Sequence, residues 1–593
     1  MNDKYADKMM RNIRHAILVL LGCSFILFAI FAFNLGLDPN PSWGKSRTLS
    51  FSLGILLLAV FADSRFGSAW TERMVGHLSA WFVDIREKIF NRLHIPKEID
   101  PHIRSRLIYG SAVFSFLVVA SLYVWFVSAG TLKTLPESTD YYNLLANAFV
   151  HGQVSLEVKV PPQLLALPDP YDYKSRNGIE YLWDTSLYKG KYYLYWGPMP
   201  AVIVAAVKLV YPLDVGDQVI TLVVAIGLIF FQALLITTIW TRSFQRLPVW
   251  TLPLGIFLAG LVVPITYMLN TPDVYEAAII GAQAFLMGGI YFAYRAFEAE
   301  KISPRWLAWA SIFWVCAIAT RAIVICAVFV LALFVLIGIL RRYGLAWTSH
   351  FNALILALGL PMVLGAIGLG GYNAVRFDSV FEFGHRYQLT TYNNYKYESE
   401  MFSSRYILAN LNNYLFNPPE KIRSFPYVRA KIGNETEAFG SPTPDLYQTE
   451  PVTGVVYVLP FMVFAFVPVL QVAIKKVWHK EEIRAELDWF NLALSCAAFI
   501  VTVSVLMFFS GAMRYTADAT SMLIVLAVIG FWISYQAVES DGFVRFVYAS
   551  IGILLAGVSI IVPNLLALIS SQKIIFYSPK VFPALDSLLK SIF

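Results

Sequence analysis

The chain has 593 residues, of which 58% are hydrophobic, 15% aromatic and 14% charged, with a formal net charge of +7. A soluble protein of this length carries about 25% charged residues, and the mean hydropathy here is +0.60, so water is excluded as the main solvent. The basic residues crowd into short connections such as Arg65 to Arg106, which marks membrane topology rather than a nucleic-acid surface.

Apolar runs of about 20 residues, the length that crosses a hydrocarbon core, recur along the whole sequence. They fall near 15–36, 49–63, 107–130, 216–240, 250–269, 273–296, 306–320, 322–341, 351–374, 454–474, 488–509, 516–536 and 543–563. The expected fold class is therefore an all-α polytopic membrane protein with about thirteen transmembrane helices. The first run is too long for a signal-peptide core and lacks a small-residue cleavage site, so it is expected to remain as a helix. Thr320-Arg321 interrupts the run 306–341. An arginine at mid-bilayer costs roughly 2.5 kcal/mol or more, so two short helices with a turn at the membrane surface are expected there. Cys23, Cys316, Cys326 and Cys496 all lie within apolar runs, which speaks against a disulfide framework or a thiolate metal centre.

Lys4, Lys8, Arg11 and Arg14 precede the first run. Arg242/Arg246, Lys301/Arg305, Arg341/Arg342 and Lys475/Lys476/Lys480/Arg484 mark later connections. All of them fall on one side when the N-terminus is cytoplasmic, and the C-terminus then lies outside. Three regions follow: 1–106, with two helices and a basic cytoplasmic segment; 107–563, the main transmembrane domain; and 564–593, a short outer segment. Two long outer loops, 131–215 and 375–453, are rich in Tyr, Pro and Asn and are expected to be folded and functional. Within the first loop, Pro198 to Tyr211 is apolar over about 14 residues, which suits an interfacial helix rather than a span.

Candidate chemistry concentrates in these loops. Asp140 follows a span and opens an amphipathic helix that ends at Gly152. It can serve as an N-cap or as a general base at the membrane surface. Asp184 suits a turn or a contact to acceptor hydroxyls, and Asp169 and Asp172 suit turns. Asp273 and Glu276 follow Pro272 as ordinary first-turn acids. Arg321, Arg514 and Arg386 are outward guanidiniums suited to an anion or to lipid headgroups. Asp518 lies one helical turn from Arg514 and is placed to pair with it. Glu382 and Tyr141 are further candidates for contacts to sugar hydroxyls or sugar faces.

The Asp140 segment (Ser138-Thr139-Asp140-Tyr141-Tyr142-Asn143), the stretch Asp184 to Pro200, Arg321 in Ala-Thr-Arg-Ala, Tyr372 to Tyr387 and Met513-Arg514-Tyr515-Thr-Ala-Asp518 occur in that order. Together they resemble the GT-C glycosyltransferases of the protein O-mannosyltransferase and aminoarabinose transferase type, over about 107–540. The resemblance implies a GT-C-like fold, with a polyprenyl-phosphate sugar as substrate and a glycan, lipid or protein as acceptor. It implies Asp140 as catalytic base, Arg321, Arg514 and Arg386 on the donor phosphate, and Asp184, Glu382 and Tyr141 near acceptor or sugar. It places the enzyme in the cell membrane with its active site on the outer face. The sequence departs from the pattern in its two extra N-terminal spans and in the lack of a paired acidic motif after Asp140. That lack favours an inverting monosaccharide transferase without metal or other cofactor. Two other readings compete: a transporter or flippase of lipid-linked glycans, and a non-catalytic lipid-binding membrane protein. Most charges lie at helix ends and in loops rather than at mid-bilayer, which disfavours transport.

Overall fold

The computed structural model describes residues 22, 25–26, 29–30, 43–66, 100–345, 347–478, 486–538 and 542–592. The expected first span, 15–36, and most of the basic segment before residue 100 lie outside the described residues. Among the described residues, eight helical segments are long and apolar enough to cross a membrane. They coincide with α2 (Pro101–Val127), α5 (Asp217–Ser243), α8 (Val274–Phe297), α10 (Ile325–Tyr343), α11 (Ser349–Phe377), α14 (Glu486–Leu506), α15 (Ala517–Ala537) and α16 (Gly542–Leu568). Shorter apolar helical stretches include Arg47–Ala59 within α1 (Lys45–Phe66), α4 (Met199–Lys208), α6 (Thr251–Leu261) and α9 (Pro304–Ile318).

Proline explains where two expected spans are broken. The run 250–269 divides into α6 and α7 (Ile265–Leu269) around Pro264, which has no N–H to continue a helix ladder. The run 454–474 forms a short helix, Val455–Val458, then a 3₁₀ stretch, Pro460–Ala465, and finally α13 (Phe466–Trp478). The run 306–341 breaks at Arg321, as expected. That residue is extended, with φ −152° and ψ 116°, between α9 and the 3₁₀ turn Ala322–Val324 that opens α10.

Burial sorts the helices. The most apolar windows of α8 and α15 are 78% and 89% buried inside the protein, whereas that of α11 is only 11% buried. Helices α8 and α15 thus form the centre. The apolar surface of α11 is left for lipid, where exposed Leu, Ile and Val cost nothing.

The helix ends sort by charge. Arg242 bonds Glu486 at 2.6 Å, Lys475 bonds Asp488 at 2.7 Å, and the Arg341 guanidinium lies 4.3 Å from the Trp489 ring centre. These contacts gather the basic C-terminal ends of α5, α10 and α13 and the acidic start of α14 at one end. The two long connections lie at the other. The first contains α3 (Tyr141–Val150), a hairpin of β1 (Ser186–Tyr188) and β2 (Lys191–Tyr193), and α4. The second contains α12 (Ile407–Phe416) and several two-residue strands.

Candidate functional site

A cavity of about 560 Å³ opens at the loop-bearing end, within the roughly 300–1,000 Å³ typical of small-ligand sites. Both long connections, the ends of α8, α9, α11, α14 and α15 and the 3₁₀ turn that precedes α10 contribute to its walls. Its lining contains three guanidiniums (Arg321, Arg376, Arg514) and three carboxylates (Asp184, Glu450, Asp518). Trp183, Tyr195, Trp196 and Tyr392 supply aromatic surface, and Ile318, Ile323, Leu369 and Val505 an apolar flank.

Two of the arginines are neutralised locally. Arg321 donates to both oxygens of Asp518, from Nε at 3.0 and 3.2 Å and from Nη2 at 3.0 Å. Arg514 forms a fork with Glu450, with Nη2 donating to Oε1 at 2.6 Å. Glu450 reaches that position through a parallel pairing of Gln448–Thr449 with Ser510–Gly511, extended by the Glu450 amide donating to the Gly511 carbonyl at 2.8 Å. Asp518 therefore pairs with Arg321 rather than with its helical neighbour Arg514.

Arg376 is different. It sits in the last turn of α11 and is only 3% exposed. Its Nη1 donates to the Leu194 carbonyl and its Nη2 to Asn373 Oδ1, both at 2.6 Å, while its Nε is buried without a hydrogen-bond partner. The guanidinium carbon lies 3.9 Å from the Tyr372 ring centre and 4.7 Å from that of Phe377. Among the described residues no carboxylate pairs with it.

Asp184 is the carboxylate without a cation. It is buried, and its backbone takes φ +55°, a left-handed conformation that costs a non-glycine residue about 1 kcal/mol or more. The second outer connection holds it there: the Asp184 amide donates to the Leu389 carbonyl at 3.1 Å, and the Leu389 amide to the Thr185 carbonyl at 2.9 Å. Gln388 Nε2 donates to Asp184 Oδ1 at 3.0 Å, and the Tyr275 hydroxyl to Oδ2. Asn394 in turn donates to Gln388 Oε1 at 3.1 Å, fixing the amide's orientation. Tyr275 also joins the two halves of the cavity, since the Arg514 guanidinium lies 4.9 Å from its ring centre.

The cavity thus gathers Arg321, Arg514 and Asp184, while Asp140, Tyr141, Arg386 and Glu382 are not among its lining residues. Asp140 occupies the N-cap position of α3 without making a side-chain cap bond. That cap comes instead from Asp217, whose carboxylate accepts from the amides of Tyr141 and Tyr142 at 3.0 and 3.1 Å and from Thr139 Oγ1 at 2.7 Å. Asp140 accepts from Asn143 Nδ2 at 3.1 Å. Partial burial, reinforced by Asp214, holds its carboxyl above the usual range. The Tyr141 hydroxyl donates to the Trp183 carbonyl at 2.7 Å, so Tyr141 supports the cavity wall from behind. Arg386 is engaged by Glu398, and Glu382 accepts from the Gly384 amide at 2.6 Å. Asp273 and Glu276 form a capping box at the start of α8, the ordinary role expected of them.

Arg376 and Glu450 are the site residues that sequence reasoning missed. Arg376 had a signal: an arginine inside the last turn of an apolar helix must find a partner or a ligand. Glu450 had none, because strand pairing delivers it from the far end of a connection.

No family model and no curated protein matches the sequence. Among solved structures, the chain is similar to the Archaeoglobus fulgidus oligosaccharyltransferase in its apo form, with a TM-score of 0.44 and 11% identity, over 77% of this chain and 56% of that one. It is similar to the oligosaccharyltransferase AglB of the same organism in complex with an inhibitory peptide and a dolichol-phosphate, with a TM-score of 0.42 and 10% identity, over 78% and 56%. It is also similar to ArnT from Cupriavidus metallidurans bound to undecaprenyl phosphate, with a TM-score of 0.38 and 12% identity, over 79% and 78%. The chain spans little more than half the length of the archaeal proteins.

Proposed function

We propose that this chain is a membrane glycosyltransferase that moves a sugar from a polyprenyl-phosphate donor to an acceptor hydroxyl on the non-cytoplasmic side. The observation that carries the proposal is the charge balance of the cavity. With Arg321–Asp518 and Arg514–Glu450 paired, one buried guanidinium, Arg376, and one buried carboxylate, Asp184, remain uncompensated in the same lining. A lone buried cation suits a departing phosphate, and a lone carboxylate suits the proton released by an attacking hydroxyl. The apolar flank, beside the lipid-exposed α11, gives a prenyl chain a route from the bilayer.

In this reading the acceptor oxygen attacks the anomeric carbon as the bond to the phosphate oxygen breaks, with inversion. The hydroxyl proton passes to Asp184, and the phosphate leaves as an anion against Arg376, with Arg321 and Arg514 contributing to the positive wall. Aromatic faces at Trp183 and Trp196 are available to stack on sugar rings. Placing the base at Asp184 instead of Asp140 is supported by cavity membership, by its two side-chain donors and by its held backbone.

The test is release of polyprenyl phosphate from a panel of polyprenyl-phosphate hexoses by the purified protein, with cell-envelope extract as acceptor source. Asp184→Asn is expected to lose about 100-fold or more in rate, as for removal of a general base, while Asp140→Asn retains most activity. The reverse pattern returns the base to Asp140. Undiminished transfer by both folded variants refutes a carboxylate base. Activity unchanged by chelators supports the metal-independent route.

A further inference from the structure

A second, larger cavity of about 980 Å³ lies at the opposite, basic end of the same helices. It sits between the ends of α8, α10 and α14, with Trp314 of α9 in its wall. Its interior is apolar: Phe297, Leu331, Val335 and Ala493 are typical of it. Its charged lining is Arg341, Arg342, Lys476 and Glu486. Glu486 is taken by Arg242 at 2.6 Å. No carboxylate among the described residues pairs with Arg341, Arg342 or Lys476. Arg341 is held against the Trp489 ring, which fixes the charge beside the apolar space without neutralising it.

We infer that this cavity is a binding site for one anionic phospholipid, with its phosphate on Arg341, Arg342 and Lys476 and acyl chain in the apolar interior. A soluble anion would use the three cations and leave the apolar volume empty. A neutral lipid would fill the volume and leave three cations unmatched. Only an amphiphile with an anionic head satisfies both, and basic pockets between helices at a membrane face are a recurrent form of such sites. Gly338 keeps the interior open. A Cβ there would meet the Phe297 ring at 2.9 Å and the Trp489 Nε1 at 3.5 Å, so any larger side chain projects into the space a chain would occupy. The inference is independent of the transfer reaction, because none of these residues lines the first cavity.

The test is retention of lipid by the full-length protein in native mass spectrometry, with phosphatidylglycerol, phosphatidylcholine and inorganic phosphate as separate probes. Wild-type protein is expected to retain one phosphatidylglycerol in preference to phosphatidylcholine. Arg341→Gln/Arg342→Gln/Lys476→Gln, three exposed changes, should weaken that retention roughly tenfold or more, at the scale of one near-surface basic residue per tenfold step or less. Arg246→Gln/Lys301→Gln, which removes charge at the same end but outside the cavity, should not. Gly338→Leu should weaken retention while leaving all three cations in place. Equal retention by the triple variant, equal preference for phosphatidylcholine, or displacement of the lipid by inorganic phosphate would each overturn the site. Loss of retention in the charge variant with none in a folded Gly338→Leu protein would reduce it to surface attraction.

Discussion

Arg321 and Asp518 meet through a bidentate ion pair across 197 positions of sequence, with the Asp518 side chain fully buried and that of Arg321 19% exposed. The pair ties the break between α9 and α10 to the first turn of the central helix α15. It also removes one charge of each sign from the cavity, and the Arg514–Glu450 fork removes another. The buried charges of the site are thus set by which arginine is left over. Leaving a buried ion without its partner costs about 3–5 kcal/mol, while replacing both members with apolar groups is often neutral. Asp518→Asn is therefore expected to lower the unfolding midpoint sharply. Arg321→Leu/Asp518→Leu should recover most of that loss. Thermal unfolding of the two proteins in the same detergent measures the difference, and equal midpoints would show that the pair does not organise the fold.

Gly197 makes a different kind of junction. Its amide donates to the Thr320 carbonyl at 3.2 Å, and that of Met199 donates to the Ala319 carbonyl at 3.0 Å, so the C-terminal end of α9 is satisfied by the segment that leads into α4. A Cβ on Gly197 would lie 2.1 Å from the Ala319 carbonyl oxygen, a backbone atom that cannot swing aside. Gly197→Ala should cost roughly 1–3 kcal/mol, the range for forced overpacking. It should also displace Trp196 and Arg321 from the cavity wall. A normal unfolding midpoint and unaltered donor binding in this variant would contradict the junction.

These contacts show what the sequence could and could not reveal. The interruption at Arg321 was readable because the cost of a charge at mid-bilayer is local and large. That Met199–Lys208 forms a helix too short to span a bilayer was readable from length alone. The Asp140 segment misled because its neighbour in space is 77 residues away: Asp217, at the start of α5, supplies the cap that the local pattern assigned to Asp140. Arg386 lies outside the cavity lining. It carries the right charge in the right loop, but Glu398 and Glu382 already engage it, and neither distance follows from spacing in an irregular connection. Helical periodicity places side chains on faces; it does not say which loop will fold over them.

His385 offers a pH handle on that loop. It lines the cavity, and burial pushes its imidazole below the ordinary value near 6.5, with Glu398 opposing the shift only in part. A depressed folded pKa means that the unfolded chain binds the proton first. Stability is therefore unaffected by this group above about pH 6.5 and falls as pH drops below it, until the folded-state histidine also titrates. Unfolding midpoints between about pH 7.5 and 5 should decline more steeply for wild type than for His385→Gln, which cannot take the charge. Parallel profiles would show that the imidazole takes up its proton equally in the folded and unfolded states.

Arg376 carries the most discriminating prediction, because its hydrogen bonds leave part of the guanidinium unused. Nη1 and Nη2 each hold one acceptor, Nε holds none, and the ring planes of Tyr372 and Phe377 fix the group against the cavity. A lysine there keeps the charge but not the planar fork or the stacking, so Arg376→Lys should fold and bind a polyprenyl phosphate more weakly by about tenfold, the scale of one lost charge-assisted bond. Arg376→Met keeps the apolar contacts, removes the charge and should abolish measurable binding. Titration of a short-chain polyprenyl phosphate into each protein, against the same chain carrying an uncharged alcohol, separates headgroup from tail. If both variants bind the phosphate as wild type does, the anion is held by Arg321 and Arg514 despite their carboxylate partners. The uncompensated charge at Arg376 would then be a feature of the fold, not of the site.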